Sequence, residues 1–318
     1  MDQVLALRRD AGRRLKWECL FMEPAWMQVW WNHFGAGSTP CILAVRHKNI
    51  LIGIAPLIKN DAAACLLGSS DLCDYMDFIV APQRESEFFT VLIEHLKHNG
   101  LALLNLESVR SDSSVLTELA QIAPSLGCRI DCRPDDIAYT LELPPSWKAF
   151  LRRLTGKQRH EIRRKLRRLD EAGQVKYRVV EDVGAVRDQM HIFLTLFRSS
   201  RPDKAAFMTR PMAAYFKSLA EAMAARQMLK LSFLELDGQP VATVMCFDDR
   251  STVYLYNNGY DHRFRSLSVG LLSKVFSIKD SIQRGRHTYE FLKGNEEYKR
   301  HLGGSPMQLF NCQVHLNP

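Results

Sequence analysis

The segment EFLKGNEEYKRHLGG spans 290–304, near the end of the chain. It begins as an apolar strand pattern and continues as a compact charged turn. Gly294 breaks the strand pattern, and Lys299 stands in the turn behind it. A lysine keeps its positive charge unless it is buried, so Lys299 is suited to stabilising negative charge on a reacting oxygen. Glu290, on the strand itself, is the candidate base. The alternative is a solvated turn in which neighbouring charges pair with one another.

Positive charge is concentrated in one stretch of the chain. The protein has a net charge of +8, and residues 148–168 contain ten Lys/Arg and one acid, so the rest of the chain is close to neutral. This pattern indicates a local anionic partner. Arg159, Arg163 and Arg167 are candidates for binding a phosphate-bearing acceptor, such as a nucleotide sugar, a lipid phosphate or a tRNA. The alternative is a solvated charged helix paired with acids of the first half.

A helix predicted to begin near residue 268 offers a second place for an anion. The N-terminus of a helix presents free N–H groups and the positive end of its dipole, which suits a pyrophosphate. The candidates for cofactor binding around its first turn are Arg265, Ser266, Ser268 and Gly270. The simpler interpretation of the same residues is an ordinary helix capped by serine.

The apolar periodicity of the second half predicts the elements that position these residues. The predicted order is β-α-α-β-β-β-α-β-turn-β, with a hairpin about Asp237-Gly238. The basic helix is predicted over 156–172, with Thr155 and Gln158 as a capping box at its start. The first half shows a similar late order of hairpin, strand, helix, strand, helix and strand, in which DYMDFIV is the strand after the hairpin. This order indicates two divergent copies of one α/β fold with a mixed sheet.

The length of the chain and a pair of prolines near its middle predict two domains. The chain has 318 residues, and a typical domain holds about 100–150. Pro144-Pro145 ends the last strand pattern of the first half. We therefore predict an N-terminal domain over 1–145 and a C-terminal domain over 146–318, with the basic helix at the junction.

Composition excludes several classes of protein. No apolar run approaches the roughly 20 residues of a membrane helix, and the N-terminus does not have the pattern of a secretory signal, so a cytoplasmic location is expected. The eight cysteines are scattered and form no C-x-x-C pair. This spacing predicts reduced, mostly buried thiols and no metal site.

Motifs across most of the chain resemble the BioF2-like or CelD-like GNAT proteins, which are related to the FemAB aminoacyl transferases. In the first half the resemblance lies in KWECL, PAWMQVWWNHF, LIGIAPL and SDLCDYMDFIV. In the middle it lies in LTGKQRHEIRRKLRRLDEAG, and in the second half in FRSLSVGLLSKVFS and YEFLKGNEEYKRHLG. The last motif is the most specific, because a glycine, an acid and a Tyr-Lys pair follow the strand at fixed spacing.

The resemblance implies tandem GNAT-like (acyl-CoA N-acyltransferase) domains, with the donor site in the second. It implies transfer from acetyl-CoA or another acyl-CoA to an amine or hydroxyl, N-acetyl transfer above all, in polysaccharide or cell-envelope synthesis. Tyr298 and Lys299 match a lysine behind an aromatic residue that serves the oxyanion in FemAB-type transferases. The backbone of the strand end at Asn257, Asn258 and Gly259 would pair with a pantetheine arm, and the alternative is a plain strand end. The full Q/R-x-x-G-x-G/A loop of most GNAT enzymes is not present.

Two alternatives remain open on the sequence. The first is a FemAB-like transferase that uses an aminoacyl-tRNA as donor, which salt-sensitive binding of tRNA would favour. The second is an inactive scaffold that binds partners of an envelope pathway, or anionic lipids, through the basic helix. A Lys299→Ala variant that retains the biological activity would point to the scaffold.

Overall fold

The computed structural model describes residues 6–8 and 14–317. The strands are β1 (Thr39–His47), β2 (Ile50–Asn60), β3 (Ala63–Leu66), β4 (Ile79–Val80), β5 (Leu103–Arg110), β6 (Arg129–Glu142), β7 (Val175–Val180), β8 (Leu229–Leu236), β9 (Gln239–Asp248), β10 (Thr252–Tyr260), β11 (Thr288–Lys293) and β12 (Ser305–His315). The helices are α1 (Pro24–Phe34), α2 (Glu85–His98), α3 (Trp147–Arg153), α4 (Gly156–Asp170), α5 (Val183–Ser200), α6 (Pro202–Phe207), α7 (Arg210–Ala225), α8 (Val269–Gln283) and α9 (Glu297–His301), with further helical turns at 20–22, 115–126 and 262–267.

Residue contacts divide the chain into two compact units. One unit consists of Met1–Ile137 and Met307–Pro318, and the other of Ala138–Pro306. The domain boundary behind residue 145 stays a prediction. Within the described residues, no helix is long and apolar enough to cross a membrane.

The first unit is built on a mixed sheet with the strand order β1-β2-β3-β5-β12-β6, and β4 pairs with β2. β3 and β5 run parallel, while β1–β2, β2–β3 and β5–β12 are antiparallel. Helix α2 packs against β2 at Gly53, where an added Cβ would lie 2.2 Å from the ring of Phe88. The rings of Phe78, Phe88 and Phe89 meet edge to face and form an aromatic core.

Cysteine chemistry in the first unit differs from the prediction. Cys132 on β6 and Cys312 on β12 form a disulfide, with Cα atoms 4.1 Å apart. The prediction that all cysteines are reduced thiols was wrong for this pair. The two residues are 180 positions apart in sequence, and only the pairing of their strands brings them together. Among the described residues, no group of three or more His, Cys, Asp or Glu side chains is placed to hold a metal ion.

The second unit has the strand order β6-β11-β10-β9-β8-β7, in which only the β10–β11 pair among the described strands is parallel. Helices cover both faces of this sheet. The side chain of Asn258 on β10 reaches α8, whereas a Cβ on the next residue, Gly259, would point into the backbone of α5. Because neighbouring side chains on a strand point to opposite faces, α5 and α8 lie on opposite sides of the sheet.

Several predicted local features are confirmed. The β8–β9 hairpin turns at Asp237 and Gly238, both of which have positive φ. Thr155 and Gln158 form the capping box at the start of α4, which ends at residue 170. The segment predicted as a turn behind β11 contains the short helix α9.

One predicted strand in the first unit is largely irregular. The pattern DYMDFIV predicted a strand, but only Ile79–Val80 forms one. Asp77 explains the difference, because its carboxylate accepts the Phe78 N–H at 2.8 Å and the Ser113 hydroxyl at 2.9 Å. The side chain thereby satisfies a backbone donor that a strand partner would otherwise take.

Candidate active site

The parallel strands β10 and β11 separate after a short contact. They pair from Thr252↔Thr288 to Tyr254↔Glu290. Beyond these residues β10 is paired only with β9, and β11 only with β6. A bulge lies on β10 just behind this point, between Leu255 and Asn257, and another on β11 between Glu290 and Leu292. Bulges redirect strands and often adjoin binding sites. The two strands therefore diverge, and the wedge between the end of β10 and the segment that follows β11 is called the cleft below.

Lys299 lies at the β11 side of this cleft and is only 1% exposed. Its ammonium group donates to the main-chain oxygens of Leu292 at 3.0 Å, Lys293 at 2.6 Å and Gly294 at 2.9 Å. It also forms an ion pair of 2.9 Å with Glu296. Lys299 is therefore not part of a solvated turn, and its hydrogen bonds fix the conformation of the segment behind β11.

Two further lysines meet at Asn258 on β10. The Lys274 ammonium group, from α8, donates to the side-chain oxygen of Asn258 at 3.1 Å and to the main-chain oxygen of Gly270 at 2.7 Å. It also lies 4.8 Å from the centre of the Tyr298 ring, which is a cation–π contact. The Lys204 ammonium group, from α6, donates to the main-chain oxygen of Asn258. Tyr298, predicted as catalytic, thus contacts a lysine that the sequence analysis did not select.

The electrostatics of these lysines are unusual. Burial, with the positive charge of Lys204 as the next cause, lowers the pKa of Lys274 to about 7. Burial and the charge of Arg201 lower the pKa of Lys204 to about 8. Burial alone would raise the pKa of Glu296, but its hydrogen bond and charge interaction with Lys299 lower it overall. Near neutral pH, Lys274 therefore exists in both charged and neutral forms.

The loop between β10 and α8 places the predicted cofactor-binding residues around the start of the helix. Ser268, the residue before α8, has φ +57°, a left-handed conformation that favours glycine. Arg265, Ser268 and Gly270 therefore occupy the spacing R-x-x-G-x-G with a serine in the glycine conformation. Lys165 of the basic helix α4 donates to the Ser268 hydroxyl at 2.9 Å. Arg265 and Ser266 are exposed in the turn just ahead of Ser268.

The glycines at this site have packing roles. A Cβ on Gly259 would lie 2.4 Å from the Phe197 main-chain nitrogen, so α5 approaches β10 at this residue because it has no side chain. A Cβ on Gly270 would lie 2.8 Å from the Tyr260 ring. The assignment of both glycines, and of Asn257, to donor binding stays a prediction.

Glu290 lies at the last register pair before the strands separate and is buried. Its carboxylate accepts the Thr140 hydroxyl at 2.9 Å. Thr140 also lines a cavity of about 290 Å³ whose wall includes Phe150, Arg153 and Ser305. Thr140 therefore lies between the Glu290 carboxylate and this cavity. The role of Glu290 as a base stays a prediction.

The candidate acceptor residues share one face of α4. Arg159, Arg163 and Arg167 follow one another at intervals of four residues. Arg163 and Arg167 are exposed, while Arg159 is half-buried and donates to the Leu151 main-chain oxygen at 3.4 Å. Arg167 lies 3.6 Å from Glu171 on the same helix. The acceptor role of this face stays a prediction.

Sequence reasoning missed Lys204, Lys274 and Lys165. A signal existed for Lys274, because Gly270, Lys274 and Ile278 fall on one face of an apolar helix at intervals of four residues, and a lysine there must be buried. Lys204 lies in a short polar helix with no comparable signal. Lys165 is one of many cations in the basic stretch. Only the packing of α4 beside α8, which brings it to the Ser268 hydroxyl, distinguishes it from the others.

Comparisons with known proteins concern the fold that carries these residues. Residues 156–300 match the acetyltransferase (GNAT) domain family. No curated protein sequence matches the chain significantly. Among solved structures, FemX superimposes with a TM-score of 0.67 at 12% identity, over 98% of this chain and 95% of that chain.

Two further solved structures show the same likeness. The C-terminal domain (DUF2156) of a putative lysylphosphatidylglycerol synthetase from Agrobacterium fabrum superimposes with a TM-score of 0.59 at 10% identity, over 91% of each chain. A tandem GNAT protein from the clavulanic acid biosynthesis pathway gives a TM-score of 0.50 at 12% identity, over 89% of this chain and 85% of that chain. At these identities the likeness concerns the fold. The chain has a mixed α/β, GNAT-type acyltransferase-like fold.

Proposed function

We propose that the protein is an acyltransferase that moves an acyl group, acetyl above all, from a coenzyme A thioester to an amine or hydroxyl of an acceptor. The observation that carries this proposal is the divergence of β10 and β11 behind a three-residue parallel contact, with α8 beginning beside the cleft. Beyond Tyr254, β10 is not paired with β11, so an extended ligand can lie along this edge, and the helix start supplies N–H groups for its phosphates.

The loop at Ser268 suits the donor's pyrophosphate. The left-handed conformation of Ser268 turns the chain into α8, and Lys165 brings a positive charge to its hydroxyl. Arg265 stands exposed in the same loop. Ser268 thus has a left-handed conformation that glycine adopts readily, at the position where R-x-x-G-x-G has a glycine, and this supports the proposal.

The reaction requires two events around the thioester. The acceptor nitrogen or oxygen bonds to the carbonyl carbon and gives up a proton, and the C–S bond then breaks while the thiolate gains one. Lys299, although held by the segment behind β11, contributes positive charge at the cleft that favours the intermediate oxyanion. Tyr298 borders the same space, and Glu290 stands at the point of divergence as the candidate base.

The acceptor carries phosphate in this proposal. Arg163 and Arg167 are exposed on one face of α4, and an arginine fork binds phosphate oxygens well. Intermediates of polysaccharide or cell-envelope synthesis, such as nucleotide sugars and lipid phosphates, have this chemistry. The same face favours one other donor, an aminoacyl-tRNA, whose backbone would follow a basic surface.

Calorimetric titration with acetyl-CoA and longer acyl-CoAs at moderate salt tests the donor. We expect micromolar binding by the wild-type protein and at least tenfold weaker binding by Arg265→Ala. Arg187→Ala is the matched control, because this exposed arginine of α5 pairs with Glu221 and its loss changes the net charge equally.

The outcomes separate the candidate functions. No binding to any acyl-CoA would overturn the coenzyme A donor. Salt-sensitive binding of charged tRNA in its place would favour the aminoacyl donor. Absence of both would leave the scaffold function, with the basic helix as its binding surface.

A further inference from the structure

Three lysines of the second unit, Lys230, Lys274 and Lys299, are buried, and their partners differ. Lys230 is paired with Asp280 and Asp248, and Lys299 with Glu296. Lys274 is buried to 6% exposure, yet its hydrogen bonds go to neutral oxygens of Asn258 and Gly270. A buried ammonium group is normally retained with a carboxylate partner, so Lys274 differs from the structural lysines around it.

Lys204 adds a second positive charge close to the ammonium group of Lys274. Its ammonium group also donates to Asn258, through the main-chain oxygen, and lies 4.7 Å from the centre of the Phe197 ring. Asp203 is adjacent in sequence, but its carboxylate pairs with Arg201. Two ammonium groups therefore approach one residue of β10, one from α6 and one from α8.

We propose that Lys204 and Lys274 form an oxyanion-binding subsite at Asn258, which takes a carboxylate or phosphate group of a substrate. The inference rests on the proposed acyl transfer, because the subsite lies in the cleft that this reaction would use. An anion bound beside Asn258 would attract both ammonium groups and offset the repulsion between them, which is strong at low local dielectric.

The position of the subsite defines its role. Asn258 lies behind the bulge that follows Leu255, where β10 has left β11. The Tyr298 ring, from the α9 side, also covers Lys274. A substrate whose anionic group reaches Asn258 is thus held across the cleft between β10 and α9. The subsite would select substrates that carry a negative group close to the reacting centre, and it would reject neutral analogues.

Charged groups on every side set the protonation of Lys274. Lys204 from α6 and Lys299 from α9 oppose its positive charge, whereas Glu296 ahead of α9 and Cys246 on β9 favour it. Burial and these groups together hold the pKa of Lys274 near 7. An added anion would raise that pKa, so ligand binding near pH 8 must be accompanied by proton uptake.

Lysine side-chain NMR tests the subsite without the unknown substrate. The full chain is labelled with ¹³C at the lysine ε-carbon, and the Lys274 resonance is assigned by its absence in Lys274→Met. Its pH titration is recorded in sodium chloride and then in sodium phosphate or sodium acetate at equal ionic strength. We expect either or both oxyanions to raise the pKa of Lys274 by about one unit, while the resonance of Lys279, on the same helix, is unchanged.

A second variant keeps the test independent of one substitution. In Lys204→Met, loss of the neighbouring charge should raise the starting pKa of Lys274 and reduce the further rise caused by phosphate or acetate. If neither anion moves the Lys274 titration beyond the chloride control, the subsite is overturned. If Lys204→Met responds to the anions as the wild type does, the two-lysine arrangement is overturned.

Acetyl-CoA separates this inference from the proposed function and distinguishes the sources of the oxyanion. Suppression of the phosphate effect by acetyl-CoA would assign the subsite to the donor, and its persistence would assign it to the acceptor or acyl group. Normal acetyl-CoA binding with no anion effect would defeat the subsite alone. An anion effect without acetyl-CoA binding would support the subsite and defeat the proposed donor.

Discussion

Each unit contains a short parallel strand contact bridged by a helix, and the helices of the two contacts carry different side chains. In the first unit β3 and β5 pair over three residues, with α2 in the connection, and in the second β10 and β11 pair over three residues, with α8 in the connection. Helix α2 places the ring of Phe88 against β2, in an aromatic core. Helix α8 places the ammonium group of Lys274 against β10.

The lysines of the two connecting helices show the contrast most clearly. Lys97 of α2 is half-buried and caps the main-chain oxygens of Leu126 at 2.7 Å and Gly127 at 2.9 Å, which is a structural role at the surface. Lys274 of α8 is buried at the cleft without a carboxylate in its hydrogen bonds. Burying charge is costly, and proteins keep such groups mainly where they act on a ligand or a reaction. This difference supports the proposal that the chemistry takes place in the second unit.

Removal of Lys299 should have the largest effect on stability. Lys299→Met leaves three main-chain oxygens of the segment behind β11 without their donor and removes the partner of Glu296. We expect the free energy of unfolding in urea to fall by about 3–5 kcal/mol. Lys279→Met, at a half-buried lysine of the same unit, should change it by less than about 0.5 kcal/mol. A loss below about 1 kcal/mol for Lys299→Met would show that these hydrogen bonds do not hold the segment.

Lys274→Met should change the pH dependence of stability. The pKa of Lys274 is about 7 in the folded protein, against 10.5 as the ordinary value, so the native state binds fewer protons between these values. The free energy of unfolding then rises with pH through this window, by roughly 1 kcal/mol per pH unit. Urea unfolding at pH 7 and pH 9 should show this rise in the wild type relative to Lys274→Met, a difference of about 2–3 kcal/mol. Parallel curves for the two proteins would contradict the lowered pKa.

Replacing a closely packed glycine by alanine should destabilise the protein equally in both units. Gly259→Ala places a Cβ 2.4 Å from the main-chain nitrogen of Phe197, and Gly53→Ala places one 2.2 Å from the buried ring of Phe88. We expect each substitution to lower the free energy of unfolding by about 2 kcal/mol, because the neighbouring atoms must move. Thermal unfolding of the two variants measures this directly. A tolerated Gly259→Ala would mean that α5 is free to move away from β10.

The smallest effect concerns the start of the basic helix. Thr155→Ala removes the capping box of α4, and we expect a loss of about 1 kcal/mol in urea unfolding. Arg84→Ala, at the start of α2, removes no cap hydrogen bond and should cost less than about 0.5 kcal/mol. Equal effects of the two substitutions would show that the capping box does not stabilise α4.

Local patterns in the sequence predicted much of the fold. Residues 237–238 and the Thr155 capping box are short-range signals, because a turn or a cap depends on neighbouring residues. The strand predicted around Asp77 failed because the carboxylate takes the Phe78 N–H and the Ser113 hydroxyl. The Cys132–Cys312 disulfide could not be predicted, since it depends on strand pairing between distant segments.

The candidate site was predicted less completely than the fold. The motif around Lys299 located the segment behind β11, but the burial of its ammonium group depends on a chain path that the motif does not contain. Lys204 and Lys274 meet at Asn258 only because α6 and α8 both reach the end of β10. Such a cluster is a product of tertiary structure, and no spacing along the chain encodes it.

Hydrogen–deuterium exchange with and without acetyl-CoA tests most directly whether the donor binds at the second unit. We expect acetyl-CoA to slow exchange in peptides covering 255–274, which contain the end of β10, the Ser268 loop and the start of α8. Peptides covering 63–105, which contain the corresponding contact of the first unit, should be unchanged. Protection confined to 63–105, or none in either region at saturating acetyl-CoA, would contradict this expectation.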